Sequence, residues 1–275
     1  MLEKIFLPIL LICQFFVSSK TEPLWGAYGS EITKVQPSKQ PFVVLITNKD
    51  SINDDEVHLC TGSLISHEHV LTGAYCLKNL PESNLQVHVQ STSPKSKKTI
   101  PYGVSFKITY EQWCKFRNDC TFVSYTDDIS ILKLSDSVNQ VGLGKISYED
   151  NLRDTVRMFG WGHLADYNRP KVPRKGVMKI LKKQECEERV KSLVSDGFNQ
   201  VELPSKLFCA VANPPIFGVQ GDFGGPVLNS KGQILAIFVR RCPALFCGDI
   251  LPGQVNLILR LTEFKDFITD ATTRY

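Results

Sequence analysis

The sequence predicts an all-β protein, a sandwich or a barrel, that ends in an α-helix. One observation is a long series of short segments rich in β-branched and apolar residues, separated by Pro, Gly, Asn and Ser. The other is segment 262–271, where Phe264, Phe267 and Ile268 recur at helical spacing after Thr262, which suits an N-cap. Many short strands with few helices favour a closed or two-layered β architecture.

The elements follow one another with turn residues between them and no internal repeat. One further helix is expected over 182–194, where charged residues alternate with apolar ones at helical spacing. The predicted strands, in chain order, are 41–47, 62–66, 69–75, 85–90, 128–134, 155–161, 177–181, 234–239 and 255–259.

The first residues are typical of a secretory signal peptide. An apolar run, 5–17, follows Glu3 and Lys4 and is followed by Ser18 and Ser19. A membrane anchor is the alternative, but a run of about 13 residues is shorter than the ~20 needed to span a bilayer. We expect residues 1–19 to be removed, residues 20–275 to be secreted, and no membrane span.

Charge and cysteine content narrow the class further. The net charge of +4 is mild and does not indicate nucleic acid binding. Nine cysteines occur; without Cys13, in the predicted signal segment, an even number remains, which in a secreted chain indicates disulfides. Spacing alone does not choose their connectivity. No Cys-x-x-Cys pair suggests zinc, so neither a metal nor a cofactor is expected.

Five motifs follow in one order along the chain. They are CTGSLISHEHVLTGAYC (60–76), DDISILKL (127–134), MFGWG (158–162), QGDFGGPV (220–227) and LPGQV (251–255). Through these motifs the chain, beginning near residue 29, resembles the trypsin/chymotrypsin family of serine proteases. That resemblance implies two packed six-stranded antiparallel β-barrels with a C-terminal helix, the first over about 29–140 and the second over about 150–275.

The resemblance places three residues at the positions of the family's catalytic triad. Phe223 stands at the nucleophile position, and a phenyl ring cannot attack a carbonyl. Tyr75 stands at the base position, and a phenol with a pKa near 10 is a poor proton acceptor at neutral pH. Asp128 is retained, and we expect it to bond Tyr75 or backbone amides. The N–H groups of Gly221 and Phe223 would form the relic oxyanion hole. No catalysis is expected.

A working hydrolase with a displaced nucleophile is the alternative to an inactive protein. The candidate nucleophiles and bases would be Ser63, Ser230 and the five histidines. None of these histidines replaces the lost base by its spacing.

The resemblance also implies an altered specificity pocket. Val239, Arg240 and Arg241 stand where active members carry Ser-Trp-Gly, and Phe217 stands where trypsin-like members carry a pocket-floor Asp. Gly253 belongs to the same relic pocket through the LPGQV motif. We expect a closed or reshaped pocket.

Disulfides and activation follow from the same resemblance. Cys60–Cys76 and Cys186–Cys209 match family pairs, which leaves Cys114–Cys120 and a local Cys242–Cys247 bridge. No Ile-Val-Gly-Gly activation sequence precedes 41–47. Asp222, which in the family pairs with the new amino terminus, is therefore expected to take another partner or to remain partly solvated.

Basic residues cluster at 169–183 without an acid among them. If they converge, they would bind a sulfated glycan; the alternative is a solvated loop followed by a strand whose lysines face water. The other partner class expected is an extracellular protein, either an active protease or its substrate. Smaller basic groups are Lys95, Lys97 and Lys98, and Arg240 with Arg241. The cluster itself consists of Arg169, Lys171, Arg174, Lys175, Lys179, Lys182 and Lys183.

Overall fold

A computed structural model of the chain describes nine segments of it. The predicted signal segment, Arg169, Cys247 and the lysines at 95, 97 and 98 lie outside these segments. The described residues are 32–50, 58–90, 101–117, 120–123, 126–149, 155–162, 170–193, 202–242 and 253–274.

The first half of the chain forms a closed antiparallel barrel of six strands. In hydrogen-bonding order the strands run β2-β3-β4-β7-β6-β5, and β5 pairs with β2 to close the ring. Closure leaves no exposed sheet edge, and the apolar residues of each strand fill the interior. The strands are β2 (Val43–Asn48), β3 (His58–Leu64), β4 (His69–Thr72), β5 (Leu85–His88), β6 (Tyr102–Thr109) and β7 (Ser130–Leu134).

The second half forms another six-stranded antiparallel barrel, in the order β8-β9-β10-β13-β12-β11. A short strand, β1 (Thr33–Lys34), pairs with β9 at its margin. The two-barrel fold implied by the resemblance is therefore confirmed. The strands are β8 (Thr155–Gly160), β9 (Arg174–Ile180), β10 (Leu207–Val211), β11 (Pro226–Leu228), β12 (Ile234–Cys242) and β13 (Val255–Arg260).

The two predicted helices are present, and a third was missed. The predicted N-cap Thr262 instead opens a 3₁₀ turn, Thr262–Phe264, which leads directly into the C-terminal helix. The missed helix begins at a capping box in which Thr109 and Gln112 satisfy each other's backbone N–H groups. Strands β1, β6, β10 and β11 were also missed. The helices are α1 (Tyr110–Lys115), α2 (Lys183–Leu193) and α3 (Lys265–Thr273).

Helix α3 packs against α1 of the first barrel. The Tyr110 and Trp113 rings contact Phe267 edge-on. The carboxylate of Asp270 accepts hydrogen bonds from the Trp113 indole and the Arg117 guanidinium. A second link, the ion pair of Asp127 and Lys206, joins the two halves of the chain. These contacts fix the relative position of the barrels, and so the shape of the crevice between them.

Three of the four expected disulfides are present: Cys60–Cys76, Cys114–Cys120 and Cys186–Cys209. The expected Cys242–Cys247 bridge falls outside the described residues because Cys247 does. None of the helices in the described segments is long and apolar enough to cross a membrane.

Candidate functional site

The segments that carry Tyr75, Asp128 and Phe223 meet between the barrels. Gly73 marks the meeting point, because a Cβ added there would lie 3.5 Å from both Asp128 Oδ1 and the backbone nitrogen of Gly224. The backbone N–H of Thr61, on β3, donates to the carbonyl of Phe223 at 2.9 Å. The crevice therefore brings together residues separated by about half the chain.

Asp128 bonds the backbone of Tyr75 and not its phenol. Its Oδ1 accepts from the Tyr75 N–H at 2.7 Å, while the Tyr75 side chain is 51% exposed. Burial raises the pKa of Asp128, opposed by the Tyr75 N–H, the positive charge of Arg240 and the Ala74 N–H. The carboxylate thus orients a turn of backbone, because no imidazole is present for it to orient.

The Phe223 side chain packs into the second barrel. Its ring stacks on Phe238 with centroids 5.6 Å apart and an interplanar angle of 19°. The Phe238 ring in turn lies over Gly218, where an added Cβ would come within 2.4 Å of it. Phe238 was not among the predicted site residues, although it directly precedes Val239.

The residues expected to line the relic pocket carry buried apolar side chains. Phe217 and Val239 are both buried, and a bulge in the pairing of β12 with β13 falls at Val239. Gly253 has a φ of +95°, a conformation that suits glycine. Phe238 is also buried, and its ring leaves no room for a side chain at Gly218.

Arg240 and Arg241 follow the bulge at the end of β12. Both side chains are partly buried, with the Nε of Arg240 and the Nη1 of Arg241 out of contact with water. Burial lowers the pKa of Arg241. Each of these partly buried guanidinium groups therefore has one nitrogen shielded from water.

Asp222 is fully buried and has taken other partners, which is the first of the two expected alternatives; it is not partly solvated. Its two carboxylate oxygens accept from the backbone N–H groups of Gly162, at 2.7 Å, and Val219, at 3.0 Å. Burial raises its pKa to about 7, opposed by these two N–H groups and by the charge of Arg174. Backbone amides thus hold the carboxylate in place of an activating amino terminus.

Thr61 ties the relic nucleophile turn to both barrels, and the sequence reasoning missed it. Its hydroxyl donates to the carbonyl of Gly221 at 2.7 Å and accepts from the N–H of Trp161 at 2.9 Å. The sequence signal for this residue is in CTGS (60–63), because the family motif has glycine at the position where this chain has Thr61.

The alternative nucleophiles are poorly placed for catalysis. Ser63 is fully buried on β3, and Ser230 is exposed on a turn. The one serine–histidine contact among the described residues joins Ser66 Oγ to His69 Nδ1 at 2.7 Å. The Nε2 of His69 has no hydrogen-bond partner there, so no carboxylate orients the ring.

The basic residues that the structure describes within 170–183 do not all share one face. Burial alternates along β9, so Lys175 and Lys179 face outward with Val177 between them. Arg174 lies on the other face of the strand, toward Asp222. Lys171 and Lys182 are exposed, and Lys183 pairs with Glu187 and Glu202.

Comparison with known proteins returns one family. The family model described as Trypsin matches residues 30–247. A mouse protein, transmembrane protease serine 11C, is 25% identical over 81% of this chain, which spans half the length of that relative. Snake venom serine protease NaSP of Naja atra is 27% identical over 76% of this chain and 67% of its own. The scabies mite inactivated protease paralogue S-D1 superposes with a TM-score of 0.68 at 16% identity, covering 88% of this chain and 96% of that one.

Proposed function

Because the chain belongs to the trypsin family but carries phenylalanine in the nucleophile turn, we propose that it is a secreted, non-catalytic member that acts by binding another protein. The observation that carries this proposal is the stacking of Phe223 on Phe238. A ring held at this position supplies no nucleophile and occupies space that a scissile carbonyl needs.

The rest of the relic triad supports the same conclusion. Tyr75 replaces the base, and Asp128 bonds backbone N–H groups. In a serine protease, loss of the nucleophile or the base costs on the order of 10⁶ in turnover. Binding and an oxyanion hole alone leave roughly 10³–10⁴ over the reaction in water, which is too slow for useful peptide cleavage.

Secretion is supported by the signal-like N-terminal segment and by paired cysteines. NaSP is, by its name, a venom protein, and the scabies mite protein is described as an inactivated protease paralogue. The partner we propose is an extracellular protein, either an active protease or its substrate, to which this chain would be a cofactor, decoy or regulator.

A fluorophosphonate probe and a fluorogenic peptide mixture test the absence of catalysis, with trypsin as the positive control. We expect neither labelling nor cleavage by the purified chain. Phe223→Ser and the double variant Tyr75→His/Phe223→Ser should also stay unreactive toward peptides, because we propose that the specificity pocket is closed by the buried Phe217 and Phe238. Covalent labelling of the wild-type chain, mapped to Ser66 or Ser230, would establish a displaced nucleophile instead.

Binding to a sulfated glycan is the second candidate, favoured by one observation. Lys175 and Lys179 share the outward face of β9, and Arg157 of β8 lies directly opposite the residue between them. Retention on heparin until moderate salt, reduced by Lys175→Glu/Lys179→Glu, would support this role. Elution at low salt by both proteins would remove it.

A further inference from the structure

A groove of about 660 Å³ lies where three parts of the chain meet. Its walls come from residues 65–66, which directly follow β3, from the segment 143–148 that connects the two barrels, and from one side of α3. It shares no residue with the crevice that holds the relic triad positions. A volume of this size is in the range of sites that bind small ligands.

The floor of this groove is held by both barrels. The Gly144 N–H donates to the carbonyl of Leu64 at 2.9 Å, and the Ile234 N–H donates to the carbonyl of Lys145 at 2.8 Å. A Cβ at Gly144 would come within 2.6 Å of the Ile234 side chain, so the connecting segment packs closely on the core. The groove is therefore formed in advance, and a ligand would not have to order this wall.

The groove offers apolar surface and few open hydrogen-bonding groups. Ile65, Leu143 and Ile146 are only half-buried, so part of each side chain is still in contact with water. The hydroxyls of Thr269 and Thr272, on the α3 wall, donate to carbonyls of their own helix at 2.8 Å. A hydrocarbon ligand therefore gains free energy from burial here without unpairing these hydroxyls.

Two lysines add positive charge to the groove. Lys145 lines it, is exposed, and forms no ion pair with any residue that the structure describes. The Lys265 ammonium lies 5.7 Å from the centre of the Tyr148 ring, which also lines the groove. No Asp or Glu of the described segments lines it, and the carboxylate of Glu149, next in the chain, pairs with Lys231. The ligand that complements this charge is an anion.

We propose that the groove binds a small amphipathic anion, a free long-chain carboxylic acid. Its hydrocarbon chain would lie along the apolar wall and its carboxylate would pair with Lys145, while Lys265 adds to the local positive charge. The backbone groups of the floor are already bonded to the barrels, so they offer a polypeptide few partners. This ligand site goes beyond the proposed partner-binding function and does not depend on it.

Displacement of a dansyl-labelled undecanoic acid tests the proposal, at ligand concentrations below micelle formation. We expect dodecanoate to displace the probe about three- to fivefold more strongly than dodecanol, the magnitude of an exposed ion pair, and dodecyltrimethylammonium to be the weakest competitor. Lys145→Gln/Lys265→Gln should abolish the preference for dodecanoate over dodecanol. Lys175→Gln/Lys179→Gln removes the same charge from the outward face of β9 and should retain the preference.

Substitutions in the walls test the position of the hydrocarbon chain. Thr269→Trp places a large ring in the groove from an exposed helical residue and should weaken dodecanoate and dodecanol alike by at least about fivefold. Thr33→Trp, at an exposed threonine of β1, is its control and should change affinity by less than about twofold. Ile146→Asn should also weaken both ligands, whereas Val177→Asn, at an exposed valine of β9, should not. Thermal melting establishes that each variant is folded.

A carboxylic acid with a photoreactive diazirine on its chain identifies the contact residues by mass spectrometry. We expect labelled peptides from 143–148 or from α3, with less labelling in the presence of excess dodecanoate. Labelling confined to peptides around Phe223, equal displacement by dodecanoate and dodecanol, or full binding by Thr269→Trp would each overturn the proposal. None of these measurements involves peptide cleavage or a protein partner, so the proposed function is tested separately.

Discussion

The rings of Phe223 and Phe238 stack with their centroids 5.6 Å apart, and the Phe238 ring covers Gly218. The side chain of the predicted nucleophile turn therefore packs on a ring of β12, the strand that is expected to line the specificity pocket. Under the proposed non-catalytic function, this one aromatic pair would account for the loss of both chemistry and substrate recognition.

This stack should contribute measurably to stability. Phe238 is fully buried, so Phe238→Ala should lower the free energy of unfolding by about 3–5 kcal/mol, and Phe223→Ala, at a partly exposed site, by less. Chemical denaturation of the two single variants and the double variant gives the coupling between the rings. We expect about 0.5–1.5 kcal/mol. If the losses of the two single variants add up to that of the double variant, the two rings do not stabilise each other.

The Thr61 hydroxyl should be needed to hold the relic turn between the barrels. Thr61→Val keeps the shape of the side chain but removes the hydroxyl that bonds the Trp161 N–H and the Gly221 carbonyl. We expect a loss of about 2–4 kcal/mol by urea denaturation. Thr269→Val, which removes an exposed hydroxyl on α3, is the control and should change stability by less than about 0.5 kcal/mol. Equal effects would contradict a special role for Thr61.

Asp222 should make the chain more stable in mild acid. Its folded pKa of about 7 lies above the unfolded value, so its contribution is fully present below pH ~4 and is lost as the pH rises through about 7. The difference in unfolding free energy between wild type and Asp222→Asn should therefore fall by up to about 4 kcal/mol over that range. A pH-independent difference would show that the carboxyl group titrates normally.

His88 should make the chain less stable in mild acid, the opposite of the effect of Asp222. It is buried inside the first barrel, its Nε2 contacts Thr47 Oγ1 at 2.9 Å, and burial lowers its pKa to about 4. Because its folded pKa is below the unfolded one, its contribution is present above pH ~6.5 and is lost as the pH falls toward 4. The stability of wild type relative to His88→Gln should drop by up to about 3 kcal/mol over that interval. A pH-independent stability difference between the two proteins would mean that protonation of His88 does not destabilise the fold.

Alanine substitutions at two glycines, only one of which lies against the Asp222 carboxylate, test the burial of Asp222 independently of pH. A Cβ at Gly162 would come within 2.3 Å of the Asp222 carboxylate, whereas at Gly73 the nearest atoms are at 3.5 Å. Gly162→Ala should therefore cost more than about 2 kcal/mol, and Gly73→Ala should be near neutral. Thermal melting of both variants is sufficient. Similar melting temperatures would place the carboxylate elsewhere.

Local pattern predicted most strands, but it failed where local signals were weak. Segment 128–134 is apolar enough to predict a buried strand, and β7 is there. The three residues of β11 carry too few side chains to show a period, and they become a strand only by pairing with β8 and β12. Helix α1 is only six residues long, too short to show a helical period, and its capping box is its one local signal.

The sequence by itself determined an all-β chain from its short strands, and its ordered motifs carried the resemblance that implied two barrels with Phe223 and Tyr75 at two triad positions. Only the tertiary structure decided that Phe223 stacks on Phe238, that Thr61 bridges the barrels, and that Asp222 is fully buried. The reason is that packing and desolvation depend on residues far apart in the chain, and no local pattern encodes which of them will meet.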